Sequence, residues 1–85
     1  MNTIINFKVL ENYQIWVKFD DNTDGVIKMK PYLNSGIGIE LQNIVIFKSV
    51  VIEPGGGLTW QNGFDMCPDA LKKISIQNKV FVKTL

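Results

Sequence analysis

From Tyr13 to Phe19 the chain reads YQIWVKF, with the apolar residues Tyr13, Ile15, Val17 and Phe19 at every second position. Period-two alternation sends successive side chains to opposite faces of an extended chain, so this stretch is committed to a strand with one face buried. IINFKVL upstream repeats the pattern, with Ile5, Phe7 and Val9 on one face. DDNTDG at 20–25 combines Asp, Asn and a Gly able to take positive φ, the chemistry of a hairpin connection, and leads into VIKMK, where Ile27 and Met29 share a face. The expectation is a three-stranded antiparallel meander.

The pattern changes at PYLNSGIGIELQN, 31–43. Pro31 ends the third strand, and Asn34, Ser35, Gly36 and Gly38 break any regular period, so a short turn of helix at 31–33 followed by irregular connector is expected. In IVIFKSVVIE, 44–53, the first half suits a helical turn that plugs the core with Phe47, and the β-branched second half suits a strand over 50–53. PGGG, 54–57, then reads as a hairpin loop returning through LTW, which makes a second two-stranded element ending at Trp60. Pro68 suits the first position of a helix, where its missing N–H is not needed, and the helix is expected to run to about Ile74. Lys72 and Lys73 then fall toward its C-terminal end, where the helix dipole favours cations, and 77–85 alternates weakly as a candidate edge strand.

These elements describe an α+β fold: a three-stranded antiparallel meander, a second β-hairpin and one C-terminal α-helix. At 85 residues the chain is read as one domain, 1–85, with a single thin core and no deep enclosed pocket. All nine basic residues are lysines, and with eight acids the net charge is +1, so no bulk field draws the protein to nucleic acid or an anionic membrane. Arginine is absent, which counts against specific reading of guanine edges or phosphates. Histidine is absent too, which closes the Ser-His-Asp triad, the Cys-His dyad and any histidine metal site. Cys67 is the only cysteine, the N-terminus has no secretory pattern, and no apolar run reaches membrane-spanning length. A cytoplasmic, non-enzymatic protein is expected, with no cofactor and no metal site.

One block stands out: WQNGFDMCPDAL, 60–71. Asn62-Gly63 reads as a turn with positive φ. Asp65 and Asp69 flank a helix start, where carboxylates usually accept orphan amide hydrogen bonds, so capping is favoured over a general acid/base pair. Cys67 falls at the N-cap; with no histidine to act as base it reads as an inert, buried thiol. PGGG lacks the lysine and hydroxyl of a phosphate loop, and Asp20, Asp21 and Asp24 lack the full calcium-loop pattern and read as a solvated hairpin tip.

A tyrosine-led strand at 13–19, an acid- and glycine-containing turn, PYL at 31–33, Phe47 and above all the tryptophan-to-Pro-Asp block resemble a family of short bacterial proteins known as domain of unknown function twenty-four forty-two. The resemblance covers roughly residues 5–71 and leaves 75–85 as a C-terminal extension. Its structural signature here is Trp60, Asn62, Gly63, Asp65, Pro68 and Asp69, while Gln61 stands where proline is usual and Lys28 where an acid is common. The resemblance implies a small α+β domain whose terminal block joins a hairpin to a helix. It also implies a genetic setting beside another small protein, suggestive of a toxin and antitoxin pair.

The remaining candidate is the meander's other face. With Ile15, Val17 and Phe19 inward, alternation sends Trp16 and Lys18 outward, beside Lys8 on the first strand and Lys28 and Lys30 on the third. A tryptophan ringed by lysines suits either a protein-contact anchor or a stacking platform for single-stranded nucleic acid. A third reading has the C-terminal helix or tail cover Trp16 as a second core layer. The favoured expectation is a protein-interaction module, antitoxin-like, that holds another protein; a nucleic-acid-binding regulator using the same lysines is the alternative.

Overall fold

The meander forms as its alternation requires. In the computed structural model, which describes residues 2–80 and side chains through Ile76, β1 (Ile4–Leu10), β2 (Gln14–Phe19) and β3 (Asp24–Lys28) make an antiparallel sheet in the order β1-β2-β3. Ile15, Val17, Phe19 and Ile27 are fully buried, as is Met29 just past the sheet. The first strand departs from its simple pattern. The register slips between Ile4 and Asn6, so Ile4 pairs with Phe19 and is buried, while Ile5 is left exposed. A bulge inserts one unpaired residue, and the face that Ile5 was expected to join passes to Ile4. Tyr13 also leaves the strand: it sits in the β1–β2 turn with φ of +58°, beside Asn12 at +64°.

After β3 the chain makes a short 3-10 turn, Lys30–Tyr32, with Pro31 inside it. The expected irregular connector is instead largely a second 3-10 segment, Gly36–Gln42, which packs on α1 (Ile44–Phe47). Asn43 caps α1, its side-chain oxygen accepting the Val45 N–H at 2.9 Å, and Phe47 plugs the core at 0% exposure.

The second sheet is larger than expected. β4 (Val51–Ile52) and β5 (Leu58–Thr59) form the hairpin around PGGG, and β6 (Asp65–Met66) adds a third antiparallel strand on β5. Asp65 therefore lies on a strand opposite Thr59 and is not a helix cap. The Ile4 N–H donates to the Gly56 carbonyl at 2.9 Å and joins the two sheets.

Helix α2 runs from Pro68 to Val80, so Pro68 opens it as expected, but it continues past Ile74 and takes in part of the segment read as an edge strand. The rest of that segment, 81–85, lies outside the described residues. Lys72 consequently falls in the middle of the helix and not at its end. The helix packs against β3 on the inner face of the meander. Gly25 allows the approach, because a Cβ built there would stand 2.9 Å from the Ser75 Cβ. Ile15, Phe19, Phe47, Leu58, Trp60 and Leu71 belong to one core cluster fed by both sheets and both helices. No helix among the described residues is long and apolar enough to cross a membrane.

Candidate functional site

The lysine and tryptophan residues singled out in the sequence separate into two groups. In register, Lys8, Trp16 and Val26 lie side by side across β1, β2 and β3; Asn6, Lys18 and Asp24 form the next row, and Leu10, Gln14 and Lys28 the row on the other side. Lys8, Trp16, Lys18 and Lys28 thus share the face opposite Ile15, Val17 and Phe19. Lys30 does not. β3 ends at Lys28, and Lys30 enters the 3-10 turn, where it lines a cleft with Tyr13 and Gln42.

Trp16 is half-buried at the centre of this face. Its indole N–H donates to the Asp24 carboxylate at 2.7 Å, a diagonal link between adjacent strands that fixes the ring against the sheet. Helix α2 lies on the opposite face, against Gly25, so it does not bury Trp16 as a second core layer. Asp24, which periodicity gave no reason to connect to Trp16, is the residue of this face that sequence reasoning missed; its eight-residue separation becomes a contact only through the β2–β3 register.

The hairpin carboxylates are each taken by a separate partner. The Thr3 hydroxyl donates to Asp20 at 2.7 Å, Lys72 donates to Asp21 at 2.7 Å, and Asp24 accepts from Trp16. The Thr3 hydroxyl and backbone N–H hold Asp20 below its ordinary carboxylate range, and Lys72 followed by Thr23 does the same for Asp21. No group of three or more His, Cys, Asp or Glu among the described residues is arranged to hold a metal ion.

The tryptophan-to-Pro-Asp block has clear structural work. Trp60 is 3% exposed, and its indole N–H donates to the Phe47 carbonyl at 2.9 Å. Its ring contacts Phe47 and Phe64, with centroids 6.4 and 5.4 Å away. The Trp60–Gly63 turn closes with a 3.0 Å bond from the Gly63 N–H, and Gly63 has φ of +93°, a value glycine takes without strain. Asn62 reaches across to the second 3-10 segment: its Nδ2 donates to the Ile37 carbonyl at 3.1 Å and to Glu40 Oε1 at 3.0 Å, while its Oδ1 accepts the Phe64 N–H. Asp65 and Asp69 are exposed on separate elements, β6 and the first turn of α2. Cys67 accepts the Leu71 N–H through its carbonyl at 3.1 Å, which fits the N-cap position, but its side chain is exposed and not buried as expected.

A family model matches residues 4–77, which take in both sheets and most of α2. The chain belongs to this family, described as Protein of unknown function (DUF2442). The DUF2442 match extends past the region recognised in the sequence, through Gln77, so most of α2 belongs to the shared domain and not to an added tail. No curated protein and no solved structure matches the chain.

Proposed function

We propose that this DUF2442 chain is a non-enzymatic protein-interaction module that holds a partner protein against the outer face of its meander, with Trp16 as the apolar anchor. The supporting observation is the Trp16–Asp24 hydrogen bond: it holds a half-buried indole ring in a fixed orientation on the face that α2 leaves alone. A pre-oriented tryptophan loses little conformational entropy on binding, the property that makes tryptophan common among binding hot spots. Within this reading the partner is another small protein and the setting bacterial and cytoplasmic, with the chain in the antitoxin role.

A nucleic-acid regulator is the second reading, favoured by Lys8, Lys18 and Lys28 on one face. Asp24 sits in the same row as Lys18, and Lys30 has left the face, so the positive surface is smaller than four lysines would make it. An enzyme is less well supported, because Asp65 and Asp69 stand on separate exposed elements and histidine is absent.

The test is affinity capture from the source cell with the wild-type chain and Trp16→Ala, with and without nuclease. The expected result is a protein retained in near-stoichiometric amount by the wild type, indifferent to nuclease and lost with Trp16→Ala. Recovery of nucleic acid in its place overturns the reading.

A further inference from the structure

The cleft that Lys30 lines joins three parts of the chain far apart in sequence: the β1–β2 turn at Tyr13, the 3-10 turn and its exit at Lys30, Pro31, Leu33 and Asn34, and the end of the second 3-10 segment at Gln42. Its volume is about 460 Å³, within the range of small-molecule sites. We propose that this cleft binds a small organic carboxylate carried on an apolar body, at a site separate from the Trp16 face.

The walls are tied together before any ligand arrives. The Tyr13 hydroxyl donates to the Gln42 carbonyl, Gln42 Nε2 donates to the Leu33 carbonyl at 2.8 Å, and the Met29 N–H donates to the Tyr13 carbonyl at 2.9 Å. The Leu33 N–H closes the 3-10 turn on the Lys30 carbonyl at 3.1 Å. Each wall is therefore bonded to another, so binding does not have to order them. Tyr13 adds a second sign of construction. Its φ of +58° is costly for a bulky residue, and it is held there by its hydroxyl bond and by an edge-on contact with the Phe47 ring at 5.0 Å.

The lining sets the ligand class. Tyr13, Pro31 and Leu33 supply apolar surface, and Lys30 and the Asn34 and Gln42 amides supply the polar groups; no acid among the described residues lines the cleft. Among the described residues Lys30 pairs with no carboxylate, so its ammonium is available to an anion. One lysine with neighbouring amides suits a single carboxylate better than a phosphate, whose greater charge calls for more donors. The larger cleft beside it, about 570 Å³, is lined by both Glu11 and Lys48 among other residues and carries no such preference.

The experiment is an amide NMR titration of the whole chain with isocaproate, with isocaproamide as the neutral control and inorganic phosphate as the anion without an apolar body. The expected result is saturable shifts around Tyr13, Lys30 to Asn34 and Gln42 at about millimolar isocaproate, the affinity suited to so small a ligand. Isocaproamide and the Lys30→Gln variant should each weaken binding by about threefold to fivefold, the scale of one exposed charge pair. Lys30 is exposed, and a Lys30→Gln spectrum that matches the wild type elsewhere confirms that the fold is intact. The proposal is overturned by shifts that do not saturate, by shifts spread over all lysines, by equal binding of isocaproamide, by phosphate reproducing the same shifts, or by Lys30→Gln binding as the wild type does.

Discussion

Lys72 of α2 places its Nζ 2.7 Å from the Asp21 carboxylate and 4.7 Å from the centre of the Phe19 ring, so a single side chain ties the helix to the β2–β3 turn and to the edge of the core. The Thr23 hydroxyl and backbone N–H reinforce the site by both donating to the other Asp21 oxygen, Oδ1, at 2.6 and 3.0 Å. A turn of the acidic, polar kind that usually points into water is here the docking point of the C-terminal helix.

This arrangement makes stability fall in acid. Lys72 first, and then Thr23, hold Asp21 below its ordinary value of 3.8, and Thr3 lowers Asp20 in the same way. A depressed carboxyl binds its proton less readily in the folded state than in the unfolded chain. Its stabilisation is therefore complete above the unfolded value and is lost as pH falls below it toward the folded value. Thermal melts should show wild type more stable than Asp21→Asn at neutral pH, with the gap closing as pH drops below 3.8 and narrowing with added salt because the Asp21 side of the pair is exposed. A gap that stays constant across that range would mean that Asp21 acts through something other than its charge.

Trp60 should be among the most costly residues to truncate. Its ring is buried between Phe47 and Phe64 and its N–H satisfies the Phe47 carbonyl, so Trp60→Ala removes both packing and a hydrogen bond at the centre of the core. The expected loss is about 3–5 kcal/mol in a denaturant melt. Trp60→Phe keeps most of the apolar contact but strips the donor from a buried carbonyl, at about 1–3 kcal/mol. A loss below about 1 kcal/mol for Trp60→Ala would place the ring at the surface.

The close approach of Gly25 to Ser75 predicts a coupled pair. Gly25→Ala puts a methyl group 2.9 Å from the Ser75 Cβ, too close for both to stay in place, so α2 must move from the sheet. Overpacking of this kind costs about 1–3 kcal/mol. Ser75→Gly removes the opposing Cβ at the expense of helix propensity, about 0.5–1 kcal/mol. The double variant should be more stable than the sum of the two losses allows, by about 1 kcal/mol or more. Simple additivity in the melts would show that the helix does not pack here.

The parts legible in the sequence are those whose cause is local. Ile15, Val17 and Phe19 alternate and lie fully buried, Pro68 opens α2 as its ring geometry favours, and Phe47 plugs the core from one helical turn. Ile5 misled because a bulge changes which residue faces inward without changing the alternation. β6 is only two residues long and sits in a stretch rich in turn formers, so neither period nor composition marks it. α2 ran past its expected end because the residues that follow Ile74, SIQN at 75–78, include no glycine or proline to stop the helix there and give only weak amphipathicity. The roles of the acids were hidden for a different reason. Asp20 meets Thr3, Asp21 meets Lys72 and Asp24 meets Trp16 only after the strands are in register and the helix has docked. The cleft at Tyr13, Lys30 and Gln42 has the same origin.

The outer face of the meander separates the two functional readings by their response to salt. Trp16 is half-buried with one hydrogen bond, so Trp16→Ala should cost less stability than Trp60→Ala, below about 2 kcal/mol, and leave the variant folded for binding measurements. A protein partner anchored on the ring should lose at least about 2 kcal/mol of binding free energy with this change and depend only mildly on salt, because burial of apolar surface is not screened. A single-stranded nucleic acid held by Lys8, Lys18 and Lys28 would instead lose affinity with a log–log salt slope near −2, at roughly −0.7 for each neutralised phosphate. Titrations of the captured partner at several salt concentrations, with wild type, Trp16→Ala and a variant replacing the three lysines, distinguish these outcomes. A slope that steep, flattened by the lysine replacements and indifferent to Trp16, would remove the protein-anchor reading. Loss of binding with Trp16→Ala at a slope near zero would remove the nucleic-acid one.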